Sequence, residues 1–257
     1  MLYTDSMSQS VSILTYNIHK GFGPGNIHFQ LPKMQEALLE VDADIVLLQE
    51  VQGEHKRHER ARQDWPTTCQ TEFLAGESWP QRIYAKNAVY QLGHHGNAIL
   101  SKFNIARWAN VDVSHHMRAS RSLLQASIDL PNHPEQQLHV VCIHFGLFKT
   151  ERIQQVNQLI KVIKASVPAD APLIIAGDFN DWQLAITDNL ESALQVREVM
   201  EEIHGDYAKS FPAWRATLTL DRIYYRGLTL VDCACLNAKP WRTLSDHLPL
   251  WARFYIS

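Results

Sequence analysis

Leu173-Ile174-Ile175-Ala176-Gly177-Asp178-Phe179-Asn180-Asp181-Trp182 begins as an apolar run and turns polar at its end. A short apolar run bounded by turn residues reads as a buried strand. Gly177 lets the backbone turn tightly, and Asp178, Asn180 and Asp181 follow at once. Polar groups at the carboxyl end of a buried strand sit at a sheet's rim, where rigid backbone aims them into a crevice. Taken alone, the cluster reads as an Asp/Asn turn that caps itself. What reverses that reading is that similar strand ends recur along the chain.

Upstream, Val140-Val141-Cys142-Ile143 ends at His144. Thr150 then starts a helix through about Lys164, with Ile153, Val156, Ile160 and Ile163 as its buried stripe. Near the amino end, Val11 to Tyr16 leads to Asn17-Ile18-His19-Lys20-Gly21 and a Gly/Pro loop. Apolar residues at helical spacing predict a helix over about 29–41, and Asp44 to Leu48 forms a strand ending at Gln49-Glu50. Strand, helix, strand implies an α/β arrangement that brings Asn17 and Glu50 to one edge. The middle is richer in strands: 87–90, 97–101, 105–113, 123–130 and 138–143. Downstream, Asp221 precedes the strand Arg222 to Tyr225, another strand covers 228–236, and Asp246-His247 precedes the closing strand 250–256.

Composition bounds the chain. Its 257 residues are 46% hydrophobic and 20% charged, ordinary for a packed globular protein. No linker or low-complexity tract divides it, so residues 11–257 read as one domain and 1–10 as a disordered or loosely attached N-terminus. The start resembles no signal peptide, and no window approaches the roughly 20 apolar residues of a membrane-spanning helix. A cytoplasmic location follows as an expectation, and four cysteines without zinc-type spacing fit it. A net charge of -3 gives no global basic footprint for nucleic acid. The basic run His55 to Arg62 reads as a solvated face, while Arg118 and Arg121 read evenly as surface charge or phosphate contacts. No protein partner is implied.

Asn17, Glu50, His144, Asp178, Asn180, Asp221, Asp246 and His247 therefore all lie at strand ends, and phosphoester hydrolysis suits that set. Hard oxygen ligands such as Glu50, Asn17 and Asp246 fit Mg²⁺ or Mn²⁺. Asp178 and Asn180, two residues apart, can hold and activate one water. Two histidines can donate to a pentacovalent phosphorus centre. Trp182 is near enough to line a pocket.

The sequence resembles the endonuclease/exonuclease/phosphatase superfamily. The motifs are Tyr16-Asn17-Ile18-His19-Lys20-Gly21, Leu48-Gln49-Glu50-Val51, Gly96-Asn97-Ala98-Ile99-Leu100-Ser101, His144-Phe145-Gly146-Leu147, Gly177-Asp178-Phe179-Asn180, Leu220-Asp221-Arg222-Ile223 and Ser245-Asp246-His247. Each is weak alone, but they stand in the family's order across nearly the whole chain. The resemblance implies a four-layer α/β sandwich of the DNase I-like kind, two mixed sheets face to face with helices outside. It implies that Glu50 binds the metal with Asn17 and Asp246 beside it, and that Asp178 with Asn180 positions water. His144 and His247 would stabilise the phosphorane, with Asp221 paired to His247. Arg121, His95, Asn97 and Trp182 are expected on the substrate side. Apurinic-site endonucleases of the family usually carry Tyr where this chain has His144; in detail the motifs look most like the bacterial YbhP-like branch. The expected activity is a Mg²⁺-dependent phosphodiesterase. An endonuclease on DNA or RNA, a phosphatase or phospholipase-like enzyme on lipid or sugar phosphates, and a non-catalytic phosphate-binding module are the alternatives.

Overall fold

Side chains of a strand alternate between two faces, and the strand Ser10–Asn17 (β1) uses both. Its Val11 and Ile13 enter one buried cluster, while Leu14 and Tyr16 enter a second. β1 is therefore apolar on both faces because both are covered. The structure is a computed structural model and describes residues 10–56, 62, 64–114, 120–131 and 133–256. Residues 1–9, Arg118 and most of the basic run after Lys56 thus lie outside the described residues. Ser10, assigned from sequence to the loose N-terminus, is already paired in β1.

Helix α1 (Leu31–Val41) returns the chain to β2 (Ile45–His55), which lies parallel to β1. A short helix, α2 (Gln70–Ala75), precedes the hairpin of β3 (Gln81–Tyr90) and β4 (Gly93–Ser101). Three antiparallel strands follow: β5 (Ile105–Asp112), β6 (Ser122–Leu130) and β7 (His133–His144). Helix α3 (Lys149–Ser166) crosses to β8 (Leu173–Asp178), parallel to β7. Then come α4 (Thr187–Leu194), the short β9 (Arg197–Glu198), α5 (Val199–His204), β10 (Asp221–Arg226), β11 (Thr229–Cys235), α6 (Trp241–Leu244) and β12 (Leu250–Tyr255).

Two mixed six-stranded sheets result, in the orders β11-β12-β1-β2-β4-β3 and β5-β6-β7-β8-β10-β9. Ile13, Leu47 and Ile99 of the first meet Leu124, Val140, Ile174 and Ile223 of the second in the central layer. The outer face of the first sheet is covered by Leu31, Met34 and Leu38 of α1 and Leu74 of α2. The outer face of the second is covered by Val156, Leu159 and Ile163 of α3 and Leu190 of α4. The fold is a four-layer α/β sandwich. Among the described residues no helix is long and apolar enough to cross a membrane.

Several boundaries differ from the sequence reading, each for a local reason. The helix expected from residue 29 starts at Leu31, where Pro32 occupies the first turn, a position that suits its missing N–H. Thr150 caps nothing: α3 begins one residue before it, behind Phe148, with no side-chain cap. Ile153, expected in its buried stripe, is exposed. The strand through Glu50 runs on to His55, paired with β4 across two irregularities. The first of these proves central to the site.

Candidate active site

Register brings the site together. In the second sheet Asp178 pairs with His144 on β7 and with Asp221 on β10, so three polar side chains stand level at one rim. Gly177 makes that spacing attainable: its φ is +145°, and a Cβ there would collide with the Ile143 carbonyl oxygen. In the first sheet Asn17 pairs with Gln49, which places Glu50 beside it. The β2–β4 register breaks between Leu48 and Val51, and Glu50 adopts φ 55°. A bulge at a strand end re-aims a side chain. It turns Glu50 toward the crevice where the two sheets meet.

Asp178 is the hub. Its Oδ2 accepts from Asn17 Nδ2 at 3.1 Å and lies 3.6 Å from His144 Nε2 and 3.8 Å from His247 Nε2. Its Oδ1 accepts the backbone N–H of Asn180 at 2.9 Å, and the Asn180 amide donates to Phe145 O at 3.0 Å. Asn180 sits at φ 51°, a conformation asparagine tolerates better than most residues. The Asp/Asn turn reading was therefore right about local geometry and incomplete about what the turn presents.

His247 is clamped from behind. Its Nδ1 lies 2.8 Å from Asp221 Oδ2, which also accepts from Ser210 Oγ at 2.6 Å. The Phe211 ring packs against the imidazole at a centroid distance of 4.9 Å. Burial opposes the charge on His247, but the carboxylates of Asp221 and Asp178 outweigh it and lift the pKa to about 10. His144 goes the other way: burial, then the charge of Arg121, hold it well below the usual imidazole range. At neutral pH one histidine is a cation and the other a neutral ring. Asp178 is pushed up to about 7, by burial first, with His247 opposing and Asp221 adding to the rise.

Glu50 lies in another environment. Burial works against its ionisation, but His144 and Lys20 outweigh it, and its carboxyl falls well below the ordinary range. The Lys20 ammonium is seated directly on Glu50 Oε2. Beside it, Asp246 Oδ1 lies 3.5 Å from His19 Nδ1, and Asn17 Oδ1 accepts the His19 backbone N–H at 3.1 Å. An ionised carboxylate that already holds a cation, with an amide and a second carboxylate alongside, is a donor set suited to a hard divalent ion. Asp178, Asp221 and His247 also bring ligand-type atoms within 4.8 Å of one another. Asp221 Oδ2 is taken up by hydrogen bonds from Ser210 and His247. Its Oδ1 is buried with no hydrogen-bond partner among the described residues, so the trio has the atoms either to hand on a proton or to hold an ion.

The residues expected on the substrate side are dispersed. His95 lies near Glu50 and is lowered to about 4 by burial first and by Lys20 and Arg121, with Glu50 opposing. Arg121 bears on both His95 and His144, and its Nε is buried with no hydrogen-bond partner among the described residues. Asn97 is fully buried, its amide directed at Ser122 O and Cys142 O at 3.4 and 3.5 Å, so it ties the sheets together. Trp182 is partly exposed, with the Arg152 guanidinium 5.0 Å from its ring centre. Lys20, His19, Ser210 and Phe211 took no part in the sequence reading of the site. Only Lys20 and His19 left a signal, since both stand inside a motif quoted for Asn17.

Comparison with known proteins gives a consistent placement. Residues 14–247 match the model of the Endonuclease/Exonuclease/phosphatase family. The chain is 39% identical over 247 residues to the protein YbhP of Escherichia coli strain K12, covering 96% of this chain and 97% of that one. Among solved structures, the endonuclease/exonuclease/phosphatase from Beutenbergia cavernae superposes with TM-score 0.79 at 15% identity, over 97% of this chain and 72% of that one. Danio rerio TDP2 complexed with a single-strand DNA product gives 0.71 at 19% identity, over 96% and 99% of the two chains. The mannosyl-6-phosphatase Bt3783 of Bacteroides thetaiotaomicron gives 0.70 at 15%, over 96% and 100%. At such identities the structures speak for the fold, and the family match and the near full-length relative carry the assignment: this chain belongs to the endonuclease/exonuclease/phosphatase family.

Proposed function

We propose that the protein is a divalent-metal-dependent phosphodiester hydrolase in which water attacks phosphorus in line with the leaving oxygen. The observation that carries this reading is the level row of His144, Asp178 and Asp221, completed by His247 between the two carboxylates. Glu50 would hold Mg²⁺ or Mn²⁺, with Asn17 and Asp246 alongside. When bound, such an ion neutralises phosphoryl charge and stabilises the leaving oxygen.

The side chains divide the remaining work. Asp178, anchored through Oδ1 by Asn180 N–H, presents Oδ2 to the attacking water. As the water oxygen bonds to phosphorus and the phosphorus–leaving-oxygen bond breaks, Asp178 takes the water's proton. A pKa of about 7 suits a base at neutral pH. His247 points Nε2 into the site while Asp221 holds Nδ1, so a charged donor faces the non-bridging oxygens without having to reorganise. His144, neutral, offers a second donor. Arg121 would meet the substrate's phosphate, and His95 and Trp182 would line its approach.

A small or locally accessible diester is favoured over a long duplex nucleic acid because the chain carries a net charge of -3. The four cysteines are unpaired, which goes with a reducing, cytoplasmic setting. The test is hydrolysis of bis(p-nitrophenyl) phosphate and p-nitrophenyl phosphate by metal-stripped protein with Mg²⁺ or Mn²⁺ restored. Diester turnover that returns with metal is expected. Asp178→Asn should abolish it while leaving metal affinity largely intact, and Glu50→Gln should weaken that affinity. Turnover of the monoester alone would move the protein to the phosphatases. No turnover of either with any metal would favour a non-catalytic phosphate-binding role.

A further inference from the structure

Large apolar side chains are exposed at the same end of the molecule as the catalytic rim. Phe148 is 71% exposed and Leu147 60%, four and three residues beyond His144. Val89 is 73% exposed near the tip of the β3–β4 hairpin, with Leu92 also exposed across the turn. Trp214, 63% exposed, follows Ala213, whose N–H is held by Asp246 O at 2.7 Å. Ile27, 70% exposed, follows Asn26, which lines a cavity of about 240 Å³ with Lys20, Phe22 and Tyr90. These side chains stand on separate loops around a charged crevice. They form several tips and no continuous flat patch.

Charge follows the same pattern. The chain carries 27 acidic residues, yet none falls in segments 23–30, 87–95, 145–150, 182–187 or 207–220, which frame the crevice. Three of the tips stand next to a cation instead. Lys149 follows Phe148, Arg215 follows Trp214, and the Lys56 backbone N–H donates to Leu92 O at 2.9 Å. The nearby acid, Glu54, lies 3.8 Å from the Lys56 ammonium. A protein with a net negative charge thus presents acid-free loops, three of their apolar tips beside a cation, where its site opens.

We infer that this face docks on an anionic phospholipid surface, and that the proposed hydrolase reaches its phosphodiester there. Apolar tips flanked by Lys and Arg match an interface in which side chains enter the acyl boundary and cations meet the headgroups. A nucleic acid would use the cations and stack its bases on Phe148 and Trp214, but it would leave the aliphatic Val89, Leu92 and Ile27 in water. The inference rests on the proposed hydrolase only for its substrate clause, because docking itself needs no catalysis.

Sedimentation with vesicles of phosphatidylcholine alone, and of phosphatidylcholine with about one third phosphatidylglycerol, tests it, with a single-stranded oligonucleotide as competitor. Binding to the anionic vesicles is expected to be about tenfold or more tighter than to the neutral ones and to persist with the oligonucleotide present. Phe148→Gln combined with Trp214→Gln, and separately Lys149→Glu combined with Arg215→Glu, should each reduce it about tenfold. All four side chains lie outside the catalytic set, so turnover of bis(p-nitrophenyl) phosphate should be unchanged, which also reports intact folding. Absence of vesicle binding, or displacement by the oligonucleotide, overturns the docking surface whatever the small diester shows. Vesicle binding without diester turnover would leave the surface standing and remove the hydrolase.

Discussion

His247 stands between two carboxylates, with Nδ1 2.8 Å from Asp221 Oδ2 and Nε2 3.8 Å from Asp178 Oδ2. One carboxylate is also held by Ser210, the other by Asn17 and the Asn180 backbone. The first is placed to keep a proton on the ring; the second is free to exchange one with water.

Titration of this group sets the first expectation. The pair should behave as one system whose apparent values belong to both members. The rate at low substrate should rise as pH passes about 7, where Asp178 gives up its proton, and fall as pH passes about 10, where His247 loses its own. Asp221→Asn should move the falling limb down by about one pH unit or more and cut kcat by about 100-fold. A pH–rate profile of both proteins checks this. The same shift bears on stability. The folded value of His247 lies above the ordinary 6.5, so its contribution is complete below that pH and is lost as pH rises through about 10. An unchanged falling limb in the variant would separate His247 from Asp221.

How much of this was legible in the sequence depends on what sets each side chain's direction. His144, Asp178 and Asp221 bound apolar strands, and strand registry alone makes them neighbours. Those positions can be read as pattern. Glu50 is readable as a strand-end carboxylate, but its aim depends on a bulge and a positive φ that no periodicity announces. Lys20 was hidden for the same reason. His19, Lys20 and Gly21 take φ of 45°, 59° and 82° in succession, and that tight turn delivers the ammonium to Glu50. Ser210 and Phe211 lie in an irregular segment before β10, where neither alternation nor helical spacing exists to be read.

Lys20 supplies the second expectation. Its ammonium neutralises Glu50 where a divalent ion would compete for the same oxygen. Lys20→Met should therefore raise metal affinity by about fivefold, since removing a nearby positive charge in a half-screened site is worth about 1 kcal/mol. It should also lower the melting temperature of the metal-free protein, because Glu50 loses a partner. Titration calorimetry and thermal unfolding, each with and without Mg²⁺, measure both effects. Weaker metal binding in the variant would instead make Lys20 a support of the ion site.

Gly177 is a purely steric case. Its φ of +145° and the approach of the Ile143 carbonyl leave no room for a Cβ. Gly177→Ala should cost about 3 kcal/mol or more, a strained position in a packed core being among the most damaging substitutions. Because Asp178 is the next residue, activity should fall further than the loss of folded protein explains. Denaturant unfolding paired with turnover per folded molecule separates the two.

The last expectation concerns charge buried behind the site. Asp181 has no solvent exposure, and neither does Arg222; Arg152 is 1% exposed. Asp181 Oδ1 lies 3.4 Å from Arg152 Nε, and Oδ2 lies 3.6 Å from Arg222 Nη1 while accepting the Ile186 N–H at 3.2 Å. One carboxylate thus balances two guanidinium groups and fixes the segment that leaves Asp178 and Asn180. Losing it strands two buried cations, whereas losing one arginine leaves the carboxylate paired with the other. Asp181→Ala should therefore destabilise by about 3–5 kcal/mol, and Arg222→Met by less. Asp181→Asn should fall between, because the amide oxygen can still accept the Ile186 N–H but carries no charge. The same order should appear in activity, since a loosened segment misplaces Asp178, the proposed base. Thermal unfolding and turnover of the three variants test it, and Arg222→Met proving the most damaging would show that Asp181 is held chiefly by its backbone contacts.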